Sequence, residues 1–314
     1  MSIKLPSTVK PLKIGTRSSP LAVWQATQVR DNLSREFNLK NEAFEIHTIN
    51  TSGDIFYDRP LREIGGKGLF TKEIEKALLD GKIDIAVHSM KDVPTCQPLG
   101  LIIDTYLKRE DPRDALVSFV SPSLSDFTDG AVIGTSSVRR KAQLLHLRPD
   151  LKVIDFRGNV QSRLKKLKAG VAVGTFLAMA GLNRLKVVDP SICPIDVEYM
   201  LPAVGQGVIG VERRLNDFDT AELLEKINNF ESETCLRCER AYLEALDGSC
   251  QTPIAGLATI NNGNIEFRGE ILRPDGSESL IEFGKALLED SESLGLELAE
   301  RLRSIASADF FSWA

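Results

Sequence analysis

The chain has 314 residues, with 39 Lys and Arg against 44 Asp and Glu, for a net charge of −5. At about 150 residues per domain this suggests two domains or three small ones, and 42% apolar content is enough to bury cores, which excludes a disordered chain. The acidic balance disfavours a general nucleic-acid binder, which needs a basic surface, and the uncharged stretch 170–183 is shorter than the roughly 18 apolar residues of a membrane span.

Leu12 to Thr16 reads as a strand that ends in a Ser-rich turn. Ser19 can cap the helix that follows over Leu21 to Phe37, and Pro20 suits its first turn. Phe44 to Ile49 is a second strand, Leu69 to Leu79 a helix, and Ile83 to Val87 a short buried strand before the polar His88-Ser89. Alternating strands and helices indicate a parallel sheet covered by helices. The pattern then repeats: strand Ala131 to Gly134, helix Val138 to Leu147, strand Val153 to Phe156, helix Val160 to Leu167, strand Val171 to Met179. Ile14-Gly15-Thr16 and Ile133-Gly134-Thr135 open the two units alike. The last part differs. A helix over Cys235 to Leu246 precedes strands at Ile254 to Ile260, Ile265 to Ile271 and Ser279 to Ala286, then a closing helix, Leu294 to Ile305. Asn261 to Asn264 and Pro274-Asp275-Gly276 read as hairpin turns. The fold class is α/β: two similar α/β domains and a small α+β C-terminal domain.

The charge is unevenly spread. Residues 139–186 hold twelve basic side chains against Asp150 and Asp155, a net +10, which leaves −15 for the rest. Lys165, Lys166 and Lys168 fit a solvated helix face. Arg139, Arg140, Arg157, Arg163 and Arg184 fall differently, near strand ends and helix starts, and Arg17 follows the first strand in the same way. Ligands of open α/β sheets bind beyond the carboxyl ends of the strands, and arginines gathered there beside helix N-termini make an anion site.

Other motifs leave alternatives open. Ile64-Gly65-Gly66-Lys67-Gly68-Leu69-Phe70 lacks P-loop spacing. It fits either a loop over a ligand, with Lys67 and Phe70 facing it, or a simple tight turn. Asp92, after the strand and before Val93-Pro94, can do acid–base work or stabilise a cation, and Lys91 could form a Schiff base. The competing reading of both is a salt bridge or a capped turn. The five cysteines, an odd count in a long chain that reads as unsecreted, argue against a disulfide framework. Cys235 and Cys238 form a CxxC without a second ligand pair, so they read as small residues on one helix face rather than a zinc site. The three histidines show no metal spacing, and no metal is expected. Cys250 lies in a Gly-Ser-Cys-Gln turn. The start of the chain has no apolar secretory region, which fits a cytoplasmic protein or the mature form of an organellar stroma protein.

Eight blocks occur in order: IGTRSSPLA, IGGKGLF, DIAVHSMKDVPT, REDPRDA, GTSSVRRKAQL, FRGNVQSRL, LPAVGQG and GSCQTPIAG. Together they resemble the porphobilinogen deaminase (hydroxymethylbilane synthase) family of tetrapyrrole synthesis, from about Leu12 to the C-terminal region. The resemblance implies two doubly wound, periplasmic-binding-protein-like domains with the active cleft between them, plus a small α+β third domain. Domain 1 would be discontinuous, 1–108 and 206–228, with domain 2 at 109–205 and domain 3 at 229–314. It implies a dipyrromethane cofactor bound through a thioether to Cys250. Four porphobilinogen units add to it with loss of ammonia, and hydrolysis releases the linear tetrapyrrole. The catalytic aspartate matches Asp92. Carboxylate-binding arginines match Arg17, Arg139, Arg140, Arg157, Arg163 and Arg184. Ser19, Lys91, Thr135, Ser136 and Gln206 match neighbouring binding positions, and Phe70 matches a loop aromatic near the substrate. A monomer is implied. Asn183, Glu63 and Val173-Gly174-Thr175 depart from common family residues, but no matched catalytic or cofactor residue is missing. The rivals are a non-enzymatic anion-binding protein on the same fold and a pyridoxal-phosphate enzyme using Lys91.

Overall fold

A computed structural model describes residues 4–55, 68–249 and 252–311. The strands, in chain order, are β1 (Leu12–Arg17), β2 (Phe44–Ile49), β3 (Ile85–Ser89), β4 (Leu101–Tyr106), β5 (Asp114–Val117), β6 (Val132–Gly134), β7 (Lys152–Ile154), β8 (Gly174–Ala178), β9 (Ile192–Pro194), β10 (Ile209–Arg214), β11 (Ile254–Asn261), β12 (Asn264–Leu272) and β13 (Ser279–Leu287). The chain falls into two compact units, with breaks after Arg109, Gly207 and Glu233. Among the described residues, no helix is long and apolar enough to cross a membrane.

The first unit is built on a sheet of order β2-β1-β3-β10-β4. β1 runs parallel to β2 and β3, while β10 is antiparallel to β3 and β4. The helix Pro20–Glu36 starts where the sequence places it: Ser19 accepts a hydrogen bond from the Ala22 N–H, and Pro20 fills the first turn. Its Ala26, Val29 and Leu33 are fully buried and pack with Ile14, Ile85 and Val87. The valines, leucine and isoleucines among them each contribute about 1.5–3 kcal/mol on burial.

Two expectations shift here. The strand expected over Ile83 to Val87 lies at Ile85–Ser89. Its antiparallel partner explains this, since β10 pairs Ile209 with Ser89 and Gly210 with His88, which keeps the polar end in the ladder. His88 is satisfied in the interior, with Nε2 3.1 Å from Oε2 of the buried Glu212. The helix expected from Leu69 begins at Lys72. Gly68 adopts φ 83°, and its carbonyl accepts from the N–H groups of Thr71 and Lys72, so a turn precedes the helix.

The second unit repeats the layout in the order β7-β6-β8-β5-β9. β6 is parallel to β7 and β8, and β5 is antiparallel to β8 and β9. The antiparallel strand beside the parallel trio comes last in the chain in the first sheet (β10) and first in the second (β5). The repeated Ile-Gly-Thr occupies equivalent places. Gly15 pairs with Ala86 beside β3, and Gly134 pairs with Thr175 beside β8. Both sites exclude a side chain: a Cβ on Gly134 would lie 2.4 Å from Cγ of Phe156, and one on Gly15 2.2 Å from Cδ1 of Ile83. The strand expected over Val171 to Met179 is shorter, Gly174–Ala178. Val171 is half exposed outside the ladder, and Met179 opens the short helix Met179–Arg184.

The C-terminal sheet is an antiparallel meander, β11-β12-β13. Asn262 (φ 49°) and Gly263 (φ 74°) close its first hairpin, as the left-handed positions of a two-residue turn require. The helix over Phe230–Ala245 starts earlier than expected, because the Asn229 side chain accepts from the Ser232 N–H and caps it. With the helix Ser291–Ile305 it buries Cys238, Tyr242, Phe267 and Leu298 in one core. A Cβ on Gly295 would meet the Cys238 carbonyl oxygen at 2.2 Å, so the two backbones approach closely there. Cys235 and Cys238 are both buried and reduced, as small residues on a packed face. Burial pushes the Cys238 thiol well above its ordinary range, which makes it inert.

Candidate active site

In the first unit, β1 and β3 lie side by side and parallel, so their carboxyl ends come together. Arg17 is the last residue of β1, and Asp92 closes the single turn Met90–Asp92 that follows β3. Arg17 Nη1 stands 3.6 Å from Asp92 Oδ2, and the two side chains are 23% and 29% exposed. The Arg17 guanidinium also lies over the Phe70 ring, 4.2 Å from its centroid. Phe70 holds this place by packing on Gly53, where a Cβ would sit 2.2 Å from the ring. The Gly53 N–H donates to the Leu69 carbonyl at 2.9 Å. Lys91 sits in the same turn as Asp92, half-buried. Ser19 serves as the helix cap described above. A cation, a carboxylate and an aromatic face thus meet at one partly open spot. That set can bind an acidic aromatic molecule and pass a proton to or from it.

Beneath this spot, the buried His88–Glu212 pair has Glu75 as a neighbour. Burial, reinforced by the Glu212 charge, raises the Glu75 carboxyl above its usual value. No local signal marks the role of His88, because its partner lies on a strand 124 residues away.

In the second unit, the helix Val138–Leu147 is capped by Ser137, whose Oγ accepts from the Arg140 N–H. The arginines it starts with are buried, Arg139 to 4% exposure and Arg140 to 5%. Both meet one carboxylate. Arg139 Nη1 is 2.8 Å from Asp114 Oδ2, and Arg140 Nη2 is 2.6 Å from Asp114 Oδ1. Gln206 Nε2 donates to the same Asp114 oxygen at 2.9 Å. Burial opposes ionisation of Asp114, but the two arginine charges and the hydrogen bonds from Arg140 and Gln206 outweigh it, so the carboxyl lies well below the usual range. Arg139 reaches on to the Leu201 carbonyl and to Gln143, which in turn bonds Glu270 of β12 at 2.7 Å. Arg140 donates to the Phe176 carbonyl. Arg184 is buried as well, donating to the Gly207 carbonyl at 2.7 Å, and burial pushes its guanidinium down to about 10.

The remaining matched residues divide. Thr135 Oγ1 accepts from the Ser137 N–H, and Ser136 Oγ accepts from the Phe156 N–H at 2.8 Å, so both shape the turn before the arginine helix. Arg163 Nε donates to the Gly158 carbonyl, and Arg157 is half-buried beyond β7. Lys67 and Cys250 lie outside the described residues, as does Glu63. The described residues on either side of Cys250 bond each other: Thr252 Oγ1 accepts from the Ser249 N–H and donates to the Ser249 carbonyl. Asp114, Gln143 and Glu270 were given no role from sequence. A charged residue opening an otherwise apolar run, Asp114-Ala115-Leu116-Val117, was the available signal for the first of them.

Two family models match the chain. Residues 12–222 match porphobilinogen deaminase, dipyromethane cofactor binding domain, and residues 233–304 match its C-terminal domain. The porphobilinogen deaminase of Paracoccus denitrificans (strain Pd 1222) is 55% identical over 99% of both chains. The chain belongs to the porphobilinogen deaminase family. The porphobilinogen deaminase of Nitrobacter hamburgensis is 49% identical over 95% of both chains. Among solved structures, the periplasmic VFT2 domain of Bordetella pertussis BvgS has a TM-score of 0.42 at 14% identity, over 69% of this chain and 86% of that one. The family's cofactor fits the residues present. Each pyrrole of a dipyrromethane bears acid groups, and the Nε atoms of Arg139 and Arg140 are buried without a hydrogen-bond partner. Two adjacent guanidiniums that touch a single carboxylate suit such acid groups.

Proposed function

We propose that this member of the porphobilinogen deaminase family joins four porphobilinogen units head to tail, losing one ammonia with each, and releases the linear tetrapyrrole hydroxymethylbilane by hydrolysis. It is a transferase of tetrapyrrole synthesis. The observation that carries the assignment of the chemistry is the Arg17–Asp92 pair with Phe70 stacked on the arginine.

When bound through Cys250, the dipyrromethane supplies the electron-rich pyrrole carbon to which new units are attached. Arg17 takes a carboxylate of porphobilinogen, and Phe70 gives the flat ring an apolar face. Asp92 passes a proton to the aminomethyl nitrogen, the C–N bond breaks, and ammonia leaves with the bonding pair. The ionised Asp92 then stabilises the positive charge left on the substrate pyrrole. The same carboxylate would accept the proton that the coupling releases and so be ready for the next unit. Arg139, Arg140, Arg157, Arg163 and Arg184 hold acetate and propionate groups, assisted by Lys67, Lys91, Ser19, Thr135, Ser136 and Gln206. The same reading takes 1–108 with 206–228, 109–205 and 229–314 as three working domains of a monomer, acting in the cytoplasm or an organellar stroma.

The purified chain incubated with porphobilinogen is expected to release four ammonia molecules per linear tetrapyrrole, read by ammonia assay and by mass. Porphobilinogen that binds without ammonia release would instead support an anion-binding protein on this fold.

A further inference from the structure

We propose that Asp114 is the resident counter-ion of the Arg139–Arg140 pair: it lets two adjacent guanidiniums be buried before the dipyrromethane arrives, and the ligand's acid groups take over that compensation afterwards. The proposal rests on the reading that this arginine pair binds the cofactor.

Consecutive helix residues point about 100° apart and do not face each other. Arg139 and Arg140 nevertheless converge on one group, through separate oxygens of Asp114 at 2.8 and 2.6 Å. Asp114 is fully buried, at the first position of β5, and the pair is nearly so. Two like charges this deep and this close are costly without an anion. Asp114 is the one carboxylate in contact with them, and the buried Glu270 adds a second, more distant negative charge that acts on Arg139. The remaining partners are neutral: Gln206 on Asp114, the Leu201 and Phe176 carbonyls and Gln143 on the arginines. Glu270 stands one side chain further out, beyond Gln143. Both Nε atoms stay buried without a partner. A site finished for stability alone would pair each guanidinium and satisfy each donor. This one leaves both Nε donors open, which suits it to receive a further anion.

Asp114 therefore acts through the arginines, as a positioning residue. It matters more to the empty chain than to the loaded one. The test compares Asp114→Asn with the parent in two backgrounds, the cofactor-loaded chain and Cys250→Ser, which cannot form the thioether. In the Cys250→Ser background, Asp114→Asn is expected to lower the melting temperature by about 10 °C. In the loaded chain the loss should be less than half as large. Equal losses, or a larger loss in the loaded chain, overturn the proposal and make Asp114 an ordinary structural carboxylate. If Asp114→Asn does not fold in the Cys250→Ser background, adding Arg139→Leu removes one of the two uncompensated charges and should restore folding; failure to do so also overturns it. Intact mass separates the two layers. Wild-type chain without an added dipyrromethane mass refutes the cofactor reading itself, whatever Asp114 does.

Discussion

Asp92→Asn is expected to lower the rate of tetrapyrrole release by about 10²–10⁴-fold, the range lost with a positioned acid–base group. The amide keeps the size and polarity of the side chain beside Arg17. It can neither carry a proton to the departing amine nor offset a positive charge on the pyrrole. The fold should be indifferent, because the Arg17–Asp92 pair is 3.6 Å apart and partly exposed, and such pairs contribute about 0–1 kcal/mol. Turnover measured beside the urea midpoint therefore separates chemistry from stability. A variant with an unchanged midpoint and near-normal turnover would remove Asp92 from the mechanism.

Arg139→Leu is expected to act on the other half of the chemistry, cofactor retention. Removing this guanidinium leaves Asp114 with Arg140 and Gln206, one anion for one cation. The close pair of like charges is then relieved, and the chain should still fold. One of the two cations that would meet an incoming acid group is gone. Loss of a charge-assisted bond of about 1.5–3 kcal/mol predicts that cofactor uptake slows about 10–100-fold, read by intact mass against time on refolding with porphobilinogen. Wild-type uptake in this variant would detach the arginine pair from the cofactor. Arg139→Leu relieves the like-charge pair while Asp114→Asn removes the one carboxylate in contact with it, so the two should differ in direction: the first spares the empty chain, and the second burdens it.

Local signals in the sequence located most elements. The Ser19-Pro20 start, the strand Phe44–Ile49 and the helix Val138–Leu147 agree with their expected positions, because caps, alternation and helical spacing are written in neighbouring residues. β4, β5, β9 and β10 were not anticipated. β10 shows why: Glu212 and Arg213 within it are buried only because partners on both sides, β3 and β4, come from residues more than 100 positions earlier. A strand of that kind has no local pattern to read.

The site divides in the same way. The basic segment 139–186 was legible as charge, and the structure sorts it: Lys165, Lys166 and Lys168 are exposed, whereas Arg139, Arg140 and Arg184 are buried. What the sequence does not display is the balancing carboxylate, since Asp114 meets Arg140 across 26 residues and only after β5 inserts beside β8. Arg17 and Asp92 were each identified from strand-end position, and the parallel pairing of β1 with β3 is what brings them together.

The central claim is that this acidic chain carries a dipyrromethane on Cys250 and builds on it. Intact-mass measurement of the purified protein tests it most directly. The account predicts an added mass of two pyrrole units on the wild-type chain, located to the peptide containing Cys250 and absent from Cys250→Ser. A folded wild-type chain at its unmodified mass, or an adduct that persists in Cys250→Ser, would contradict it.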